Sequence, residues 1–284
     1  MTIATLIAAE RLDDRLLAAA LGRARGARLS RWVEPGSAAD IEGNVDRTVY
    51  EGWEGIDIIV HPPGPCEKKL LVADMDSTMI GQECIDELAD YAGVKPQVAT
   101  ITERAMLGQI DFEGALRERV ALLEGLEESA IARCLAERVR PNPGAKTLVR
   151  TMRARGAATL LVSGGFTAFA GPVAEAIGFE RFEANLLGSR AGKLSGTVSG
   201  RVVDAAYKAA ALIATRDALG LAVRDVLAIG DGANDVPMIE AAGLGIAYRA
   251  KPALAEVAHA RLDHHGLDAL LWAQGIPRAE WVHA

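Results

Sequence analysis

Residues 69–78 read KLLVADMDST, a short apolar run followed at once by two acids, Asp74 and Asp76. A run of this length and composition is typical of a buried parallel strand. Because parallel α/β sheets carry their chemistry at the carboxyl ends of the strands, both acids would lie at the functional edge of such a sheet. Two acids after a strand can also simply face solvent, so the surrounding segments decide the interpretation.

The segments after this strand predict a parallel α/β core interrupted by a helical insertion. Residues 82–140 have few proline and glycine breaks and are rich in Ala, Leu, Glu and Arg, which predicts a helical cap inserted at about residues 80–140. Strands and helices then alternate again, which indicates a doubly wound parallel sheet. We expect helices at 143–155 and 166–177, strands at 157–162, 223–229 and 245–248, a turn at 163–165 and a hairpin at 185–201.

Residues 1–66 predict a small N-terminal α+β unit. A proline- and glycine-rich cluster at 62–65 marks its boundary with a core formed by residues 67–284. The elements expected within the unit are strands at 2–9, 29–33 and 56–60 and a helix at 12–25.

The composition argues against several classes of protein. A formal charge of −7 and a pI near 5.4 do not suit a nucleic-acid-binding protein, which needs clustered cations. The three cysteines lie far apart without CxxC spacing, which argues against both disulfides and a zinc site. The chain opens without a basic leader and has no run of about 18 apolar residues, so we expect a cytoplasmic protein with no membrane partner.

Three later segments supply what the transfer of a phosphoryl group needs. Ser163-Gly164 offers a hydroxyl and a free amide, Lys208 offers a cation, and Asp231 and Asp235 offer further acids. Each segment also has an ordinary interpretation, respectively as a tight turn, a solvated helix lysine and a helix cap. Their occurrence in this order on one predicted sheet favours the phosphoryl-transfer site.

The electrostatics of phosphate chemistry give these acids separate roles. A carboxylate that attacks a phosphate monoester meets two negative charges, so a metal ion and a positive side chain must neutralise the phosphate oxygens. Mg²⁺ suits this role because it binds a few carboxylates and keeps octahedral positions for substrate and water. Asp74 and Asp231 would supply the carboxylates, and Asp76 is placed to give the leaving alkoxide a proton.

These residues resemble the four signature motifs of the haloacid-dehalogenase superfamily, in the form found in its phosphoserine phosphatases. The motifs are residues 74–78 (DMDST), residues 163–166 (SGGF), Lys208 and residues 230–235 (GDGAND), and the resemblance runs from residue 68 to the early 260s. It implies a Rossmann-like core in which Asp74 is the nucleophile and Asp76 the general acid and base. By the same resemblance, Mg²⁺ is held by Asp74, the backbone carbonyl of Asp76 and Asp231, with Asp235 ordering the metal's surroundings, and the phosphoryl group is held by Ser163, Gly164, Lys208 and Asn234.

The resemblance also gives the cap a role in choosing the substrate. Glu83 and Arg119 match family residues that bind the amino and carboxylate groups of O-phosphoserine, and Met106 and Phe112 match apolar positions that close over it. A single charge on such helices is more often solvated, but the surrounding match reverses that preference. The implied reaction is Mg²⁺-dependent hydrolysis of O-phosphoserine to serine and phosphate through an aspartyl-phosphate, the last step of serine biosynthesis.

Two other functions fit parts of this pattern. The same intermediate would allow phosphoryl transfer to another small alcohol such as homoserine, because the acceptor depends on what the closed cap admits. A non-catalytic phospho-aspartate switch is a short single domain without a cap, so the chain length and Asp76 argue against it.

The N-terminal unit departs from the longer members of the superfamily. In those proteins, ligand-sensing ACT domains with the order βαββαβ occupy this place. Residues 37–53 show no helical stripe, so we expect half such a domain at most. Packing against the core or formation of a homodimer is then a better expectation than serine sensing.

Overall fold

The computed structural model describes residues 2–8, 11–50, 52–61, 66–106 and 109–283. It contains a four-stranded sheet near the N-terminus and a seven-stranded sheet built from the rest of the chain. The cluster at 62–65, which marks the expected boundary between them, lies outside the described residues. Within the described ranges, no helix is both long and apolar enough to cross a membrane.

The N-terminal unit is an antiparallel sheet with a helix packed against it. Its strands are β1 (Thr2–Ala8), β2 (Arg28–Glu34), β3 (Ala38–Gly43) and β4 (Ile56–Val60), in the order β2-β3-β1-β4. The helix α1 (Asp14–Arg23) places Leu17 in one buried cluster with Leu6 and Ile41 of the sheet. This cluster gives the unit a small hydrophobic core of its own.

Strand β3 is the element of this unit that the sequence pattern does not reveal. Its Asp40 is only 4% exposed, and the carboxylate accepts hydrogen bonds from Thr5 Oγ1 and Arg31 Nε, both at 2.7 Å. Because both partners lie on other strands, local sequence cannot show that a buried acid is satisfied here. The sheet is therefore more complete than the expected half domain, and a 3₁₀ turn, Arg47–Tyr50, stands where the second helix of a βαββαβ unit would lie.

The seven-stranded sheet confirms the predicted doubly wound α/β core. Its strands are β5 (Leu70–Ala73), β6 (Ala158–Phe166), β7 (Arg181–Arg190), β8 (Lys193–Ser199), β9 (Val226–Gly230), β10 (Leu244–Tyr248) and β11 (Ala260–Leu262). The order is β11-β10-β9-β5-β6-β7-β8, with parallel pairs throughout except the β7–β8 hairpin. The chain leaves β5 for β6 on one side and returns to β9 on the other, so β5 lies at the switch point where such sheets bind ligands.

The segment inserted after β5 forms the predicted helical cap. Its helices are α2 (Cys84–Tyr91), α3 (Lys95–Met106), α4 (Phe112–Ala121) and α5 (Ser129–Glu137). The two connections to the core run side by side, because Ile80 pairs with Pro141 and Asn142 Nδ2 donates a hydrogen bond to the carbonyl of Thr78 at 2.7 Å. The cap therefore leaves and rejoins the core at one place, a few residues after Asp76.

Helices cover both faces of the core sheet. They are α6 (Ala145–Ala154), α7 (Thr167–Ile177), α8 (Ala205–Ala218), α9 (Val236–Ala241), α10 (Pro252–Val257) and α11 (Ala269–Ala273). Helices α6, α7 and α11 bury apolar side chains in one cluster, and α8, α9 and α10 bury theirs in a second. Two expectations need correction: residues 163–165 continue β6 instead of turning, and β9 begins at Val226 after a short 3₁₀ turn. Strand β11 and helix α11 have no counterpart in the sequence prediction.

Polar contacts join the N-terminal sheet to the core. Asp57 on β4 is 3% exposed, and its carboxylate accepts hydrogen bonds from the backbone amides of Asp263 at 2.8 Å and of His264 and His265 at 3.1 Å. The Nδ1 atom of His265 lies 2.7 Å from the same carboxylate. Burial opposes the charge of Asp57, but His265 and the amides outweigh it and hold the pKa of Asp57 below its ordinary value.

Candidate active site

Asp74 continues the line of β5 and begins a sharp change of direction. Its amide donates to the carbonyl of Ile229 on β9 at 3.0 Å, which fixes its backbone at the sheet edge. The amide of Met75 donates to Asp74 Oδ1 at 2.7 Å, and one wide turn over Met75–Met79 follows, with Ser77 at a φ of 55°. Such a φ is uncommon outside glycine, and here it directs the chain from the core into the cap.

Asp231 and Asp235 follow β9 in a compact turn. Oδ2 of Asp235 accepts hydrogen bonds from the amides of Asp231 and Gly232, both at 3.1 Å, so the side chain of Asp235 folds back over the start of the turn. A Cβ atom at Gly230 would lie 2.5 Å from Cγ of Asp235, which explains the glycine at this position. The turn buries Asp235 completely and leaves Asp231 at the end of the strand.

Lys208 links the two acidic segments. It lies near the start of α8, where Asp204 caps the helix by accepting a hydrogen bond from the amide of Tyr207 at 2.7 Å. The Lys208 side chain is fully buried, and its Nζ lies 2.8 Å from Oδ1 of both Asp74 and Asp235. Burial opposes the ammonium charge, but Asp235 and Asp74 outweigh it and hold the pKa of Lys208 above its ordinary value.

This cluster contains more acids than cations. Carboxylate oxygens of Asp74, Asp231 and Asp235 lie within 4.8 Å of one another around the buried Lys208. Burial raises the pKa values of Asp74 and Asp231, and the charge of Asp235 raises that of Asp74 further. A cation between the carboxylates would offset this repulsion. Because Asp235 already accepts from Lys208 and two amides, Asp74 and Asp231 are the carboxylates that fit a metal ion best.

Asp76 and Ser163 meet beside Gly165. A Cβ atom at Gly165 would lie 2.8 Å from Asp76 Oδ2 and 3.1 Å from Ser163 Oγ, so the glycine leaves space for both polar atoms. Burial, reinforced by the charge of Glu83, raises the pKa of Asp76 to about 7. A carboxyl group with this pKa can both give and take a proton near neutral pH.

Asn185 holds the extended segment 163–165 by a hydrogen bond, and no sequence motif points to this residue. The pairing of β6 with β7 lapses between Val162 and Phe166. Asn185 Nδ2 donates to the carbonyl of Gly164 at 2.8 Å, and Asn185 Oδ1 accepts from the amide of Val203 at 2.8 Å. An asparagine in a predicted hairpin carries no signal of such contacts, because its partners lie in other segments.

Glu83 and Arg119 of the cap lie within electrostatic range of each other. Ser77 Oγ donates a hydrogen bond to Glu83 Oε1 at 2.7 Å, which ties Glu83 to the turn after Asp74. Burial lowers the pKa of Arg119, while the charges of Asp86 and Glu83 oppose that shift. Both residues are partly buried. The opposite charges of Glu83 and Arg119 are therefore near enough to interact.

Phe112 and Asn234 each lie against a glycine of the candidate site. A Cβ atom at Gly164 would lie 3.1 Å from Phe112 Cζ, so the ring at the start of α4 covers that glycine. A Cβ atom at Gly232 would lie 2.5 Å from Asn234 Oδ1, so the Asn234 side chain folds over the turn after β9. The side chain of Met106 lies outside the described residues.

Two further side chains contact Asp231. Thr78 Oγ1 donates to Asp231 Oδ1 at 3.2 Å, and Lys251 Nζ lies 3.4 Å from Asp231 Oδ2. The amide of Lys251 also donates to the carbonyl of Asp231 at 2.8 Å. Thr78 belongs to the DMDST motif, whereas Lys251 follows β10, where a lysine before a proline gives no sign of a functional contact.

Comparison with known proteins relates these features to a family. The model of the haloacid dehalogenase-like hydrolases matches residues 71–240. A phosphoserine phosphatase of Streptomyces coelicolor is 43% identical over 228 residues, which are 80% of this chain and only 55% of that protein. A phosphoserine phosphatase of Albidiferax ferrireducens is 45% identical over 208 residues, which are 72% of this chain and 88% of that protein.

A solved structure extends the likeness to the N-terminal unit. The HAD family hydrolase of Salmonella enterica serovar Typhi has a TM-score of 0.86 and 27% sequence identity to this chain, and the match covers 96% of this chain and 98% of that one. The four-stranded sheet, the core and the cap therefore occur together in a relative. On the family match and these similarities, the chain belongs to the haloacid dehalogenase-like hydrolase family.

Proposed function

We propose that this chain is a phosphoserine phosphatase that hydrolyses O-phosphoserine through an aspartyl-phosphate on Asp74. The observation that carries the proposal is the buried Lys208, 2.8 Å from both Asp74 and Asp235, at the switch point of the sheet. Glu83 and Arg119 on the cap supply the charges that an amino acid head group would need. The names of the Streptomyces and Albidiferax relatives support the same activity.

The first half of the reaction transfers the phosphoryl group to the enzyme. Lys208, the Ser163 hydroxyl and the Gly164 amide would bind the phosphate oxygens, with Asn234 beside them. Asp74 attacks phosphorus, and the bond from phosphorus to the serine oxygen breaks as the bond to Asp74 forms. Asp76 gives its proton to the departing serine oxygen, which suits a pKa of about 7.

The second half releases phosphate. Asp76, now ionised, takes a proton from a water molecule that attacks the phosphorus bound to Asp74. The carboxylate of Asp74 is regenerated and inorganic phosphate leaves. The same group therefore serves first as an acid and then as a base, which requires a pKa near the working pH.

Asp74, Asp231 and the backbone carbonyl of Asp76 would hold Mg²⁺. Once bound, the ion supplies positive charge that offsets both the phosphate and the excess carboxylates. Clustered carboxylates suit Mg²⁺ better than zinc, which favours Cys and His ligands. Among the residues that the structure describes, Asp74, Asp231 and Asp235 form the side-chain group arranged for a metal. Asp235 would act indirectly, by fixing Lys208.

The substrate would be recognised by charge. The carboxylate of Glu83 would bind the amino group of phosphoserine, and the guanidinium of Arg119 would bind its carboxylate. Phe112, against Gly164, would close the apolar wall of the site and help to exclude water. Closure of the cap over both charges would then favour a substrate that carries both groups.

A substrate and acceptor panel tests the proposal. Phosphate release would be measured with O-phosphoserine, with phosphoethanolamine, which lacks the carboxylate, and with 3-phosphoglycerate, which lacks the amine. Transfer to added homoserine would be measured in parallel. We expect the highest kcat/KM for O-phosphoserine, with water as the main acceptor. Faster hydrolysis of either analogue would contradict the proposed substrate, and dominant transfer to homoserine would make the protein a phosphotransferase.

A further inference from the structure

The short helix α10 connects the N-terminal unit to the proposed metal site. Lys251, just before the helix, contacts Asp231 through its Nζ at 3.4 Å and through its amide at 2.8 Å. At the other end, the guanidinium of Arg47 donates to the carbonyl of Glu256 at 2.8 Å and to that of Ala258. One helix of 6 residues therefore lies between a proposed metal ligand and the N-terminal unit.

Helix α10 is packed so that a displacement at one end would reach the other. Leu254 is fully buried in the cluster that also contains Met238 and Ala247. The helix also packs against the turn at 233–235, which carries Asn234. The last carbonyls of a helix have no partner within it, so the guanidinium of Arg47 stabilises this end.

The base of Arg47 is fixed within the N-terminal unit. Arg47 begins the 3₁₀ turn Arg47–Tyr50, and the hydroxyl of the buried Tyr50 donates to the carbonyl of Ala20 on α1 at 3.0 Å. Arg23 donates to the carbonyl of Val49 in the same turn at 3.0 Å. Arg47 therefore connects an anchored turn of the N-terminal unit to the end of α10.

We propose that Arg47 is a positioning residue for the reaction: through α10, it holds Lys251 against Asp231 and thereby sets how tightly Asp231 binds the metal. Arg47 touches neither the substrate nor the reacting atoms. The inference rests on the proposed function for its effect on turnover, but its effect on metal binding is measurable without turnover. The N-terminal unit would then be part of the working enzyme and more than a packing partner.

The test compares Arg47→Ala, Lys251→Ala and the double variant in the full chain. Binding of Mg²⁺ would be measured by isothermal titration calorimetry, and the Mg²⁺ concentration for half-maximal phosphate release from O-phosphoserine would be measured in parallel. Each single variant should tighten Mg²⁺ binding about three- to tenfold, because each removes or releases the Lys251 ammonium that competes with the ion for Asp231, and neither should change KM for O-phosphoserine at saturating Mg²⁺. The double variant should bind Mg²⁺ no more tightly than the single variant with the larger change, because both changes act on one path. Arg47→Lys should show a smaller change in Mg²⁺ affinity than Arg47→Ala.

Glu34→Ala is the matched control. Glu34 Oε2 accepts a hydrogen bond from the amide of Arg278 at 2.8 Å, so this change removes another bond between the N-terminal unit and the core without involving α10. It should leave metal binding unchanged. Equal changes of Mg²⁺ affinity in Glu34→Ala and Arg47→Ala, weaker Mg²⁺ binding in Arg47→Ala, or changes that multiply in the double variant would overturn the proposal.

If the wild-type chain binds Mg²⁺ but hydrolyses no phosphomonoester, the proposed function fails, and the calorimetric comparison still decides the role of Arg47. If Arg47→Ala does not fold, Arg47→Lys takes its place in the same cycle with Lys251→Ala. A lysine keeps the charge but cannot bind both carbonyls in the forked geometry of arginine, so a smaller change of Mg²⁺ affinity in the same direction is expected.

Discussion

Two buried aspartates, Asp57 and Asp74, occupy opposite environments in this molecule. Asp57 accepts hydrogen bonds from three backbone amides and contacts His265, and its pKa lies below the ordinary value. Asp74 is surrounded by Lys208 and two further acids, and burial with the charge of Asp235 raises its pKa. The carboxylate of Asp57 is therefore satisfied by hydrogen bonds, whereas that of Asp74 lies among other negative charges.

This contrast distinguishes a buried acid that stabilises the fold from buried acids that serve the reaction. A satisfied acid such as Asp57 stabilises the fold by joining the N-terminal sheet to the core. A crowded group of acids costs stability unless a cation or a substrate binds among them, so it is retained for what it binds. Loss of Asp57 should therefore damage stability and spare the chemistry, and loss of Asp74 should do the reverse.

The largest expected effect is that of Asp74→Asn on turnover. Removing the nucleophile should lower kcat for O-phosphoserine by about 10⁴-fold or more. The free energy of unfolding without metal should hardly fall, because the change also removes repulsion within the acidic cluster. Phosphate release and urea unfolding would measure the two quantities. Activity within tenfold of the wild type would exclude Asp74 as the nucleophile.

Changes at the cap should produce smaller, substrate-dependent losses. Each charged hydrogen bond contributes roughly 1.5–3 kcal/mol, so Arg119→Ala and Glu83→Gln should each lower kcat/KM for O-phosphoserine by about tenfold to a few hundredfold. Arg119→Ala should penalise phosphoethanolamine much less, and Glu83→Gln should likewise spare 3-phosphoglycerate. Equal losses on all three substrates would mean that the two residues only hold the cap together.

Asp57→Asn should lower stability but not the chemical rate. The amide cannot accept the four hydrogen bonds that a carboxylate accepts, so the free energy of unfolding should fall by about 2–3 kcal/mol. At saturating Mg²⁺, kcat should stay within about twofold of the wild type. Asp46→Asn, which alters an exposed acid of the same unit, is the control and should leave stability nearly unchanged. A large loss of kcat in Asp57→Asn would remove the contrast with Asp74.

The smallest effect should be the pH dependence that His265 contributes. Burial favours its neutral ring, but Asp57 outweighs this and raises the pKa of His265 above its ordinary value of 6.5. Its stabilisation is therefore complete below about pH 6.5 and lost as the pH rises through the folded-state pKa. The lowered pKa of Asp57 acts at the other limit, where stabilisation is lost as the pH falls below 3.8 through its folded-state pKa.

Urea unfolding at a series of pH values measures this contribution. The advantage of the wild type over His265→Gln should shrink as the pH rises above about 6.5. His264→Gln keeps the backbone amide that binds Asp57, so it should retain the wild-type profile. An identical pH profile in the wild type and His265→Gln would show that the ring does not carry the charge.

The acids and Lys208 are easier to predict from the sequence than the residues around them. Asp74 follows a strand, so sheet topology predicts its place at the functional edge, whereas Lys208 is identified by the resemblance to the family motifs. Asn185 and Lys251 act through contacts between distant segments, which no local pattern carries. Strand β3 is not predicted from the sequence for a similar reason: the side chains that hydrogen-bond Asp40 lie on neighbouring strands.

Trapping the phosphorylated enzyme shows directly whether Asp74 is the nucleophile. In Asp76→Asn the group proposed both to protonate the leaving serine and to activate water is absent, so some aspartyl-phosphate should form slowly and then be hydrolysed only slowly. After incubation with O-phosphoserine and Mg²⁺ and an acid quench, peptide mass spectrometry should find one phosphoryl group, on Asp74, and Asp74→Asn should carry none. A phosphoryl group on Ser163, on Asp231 or on a histidine would show that Asp74 is not the nucleophile.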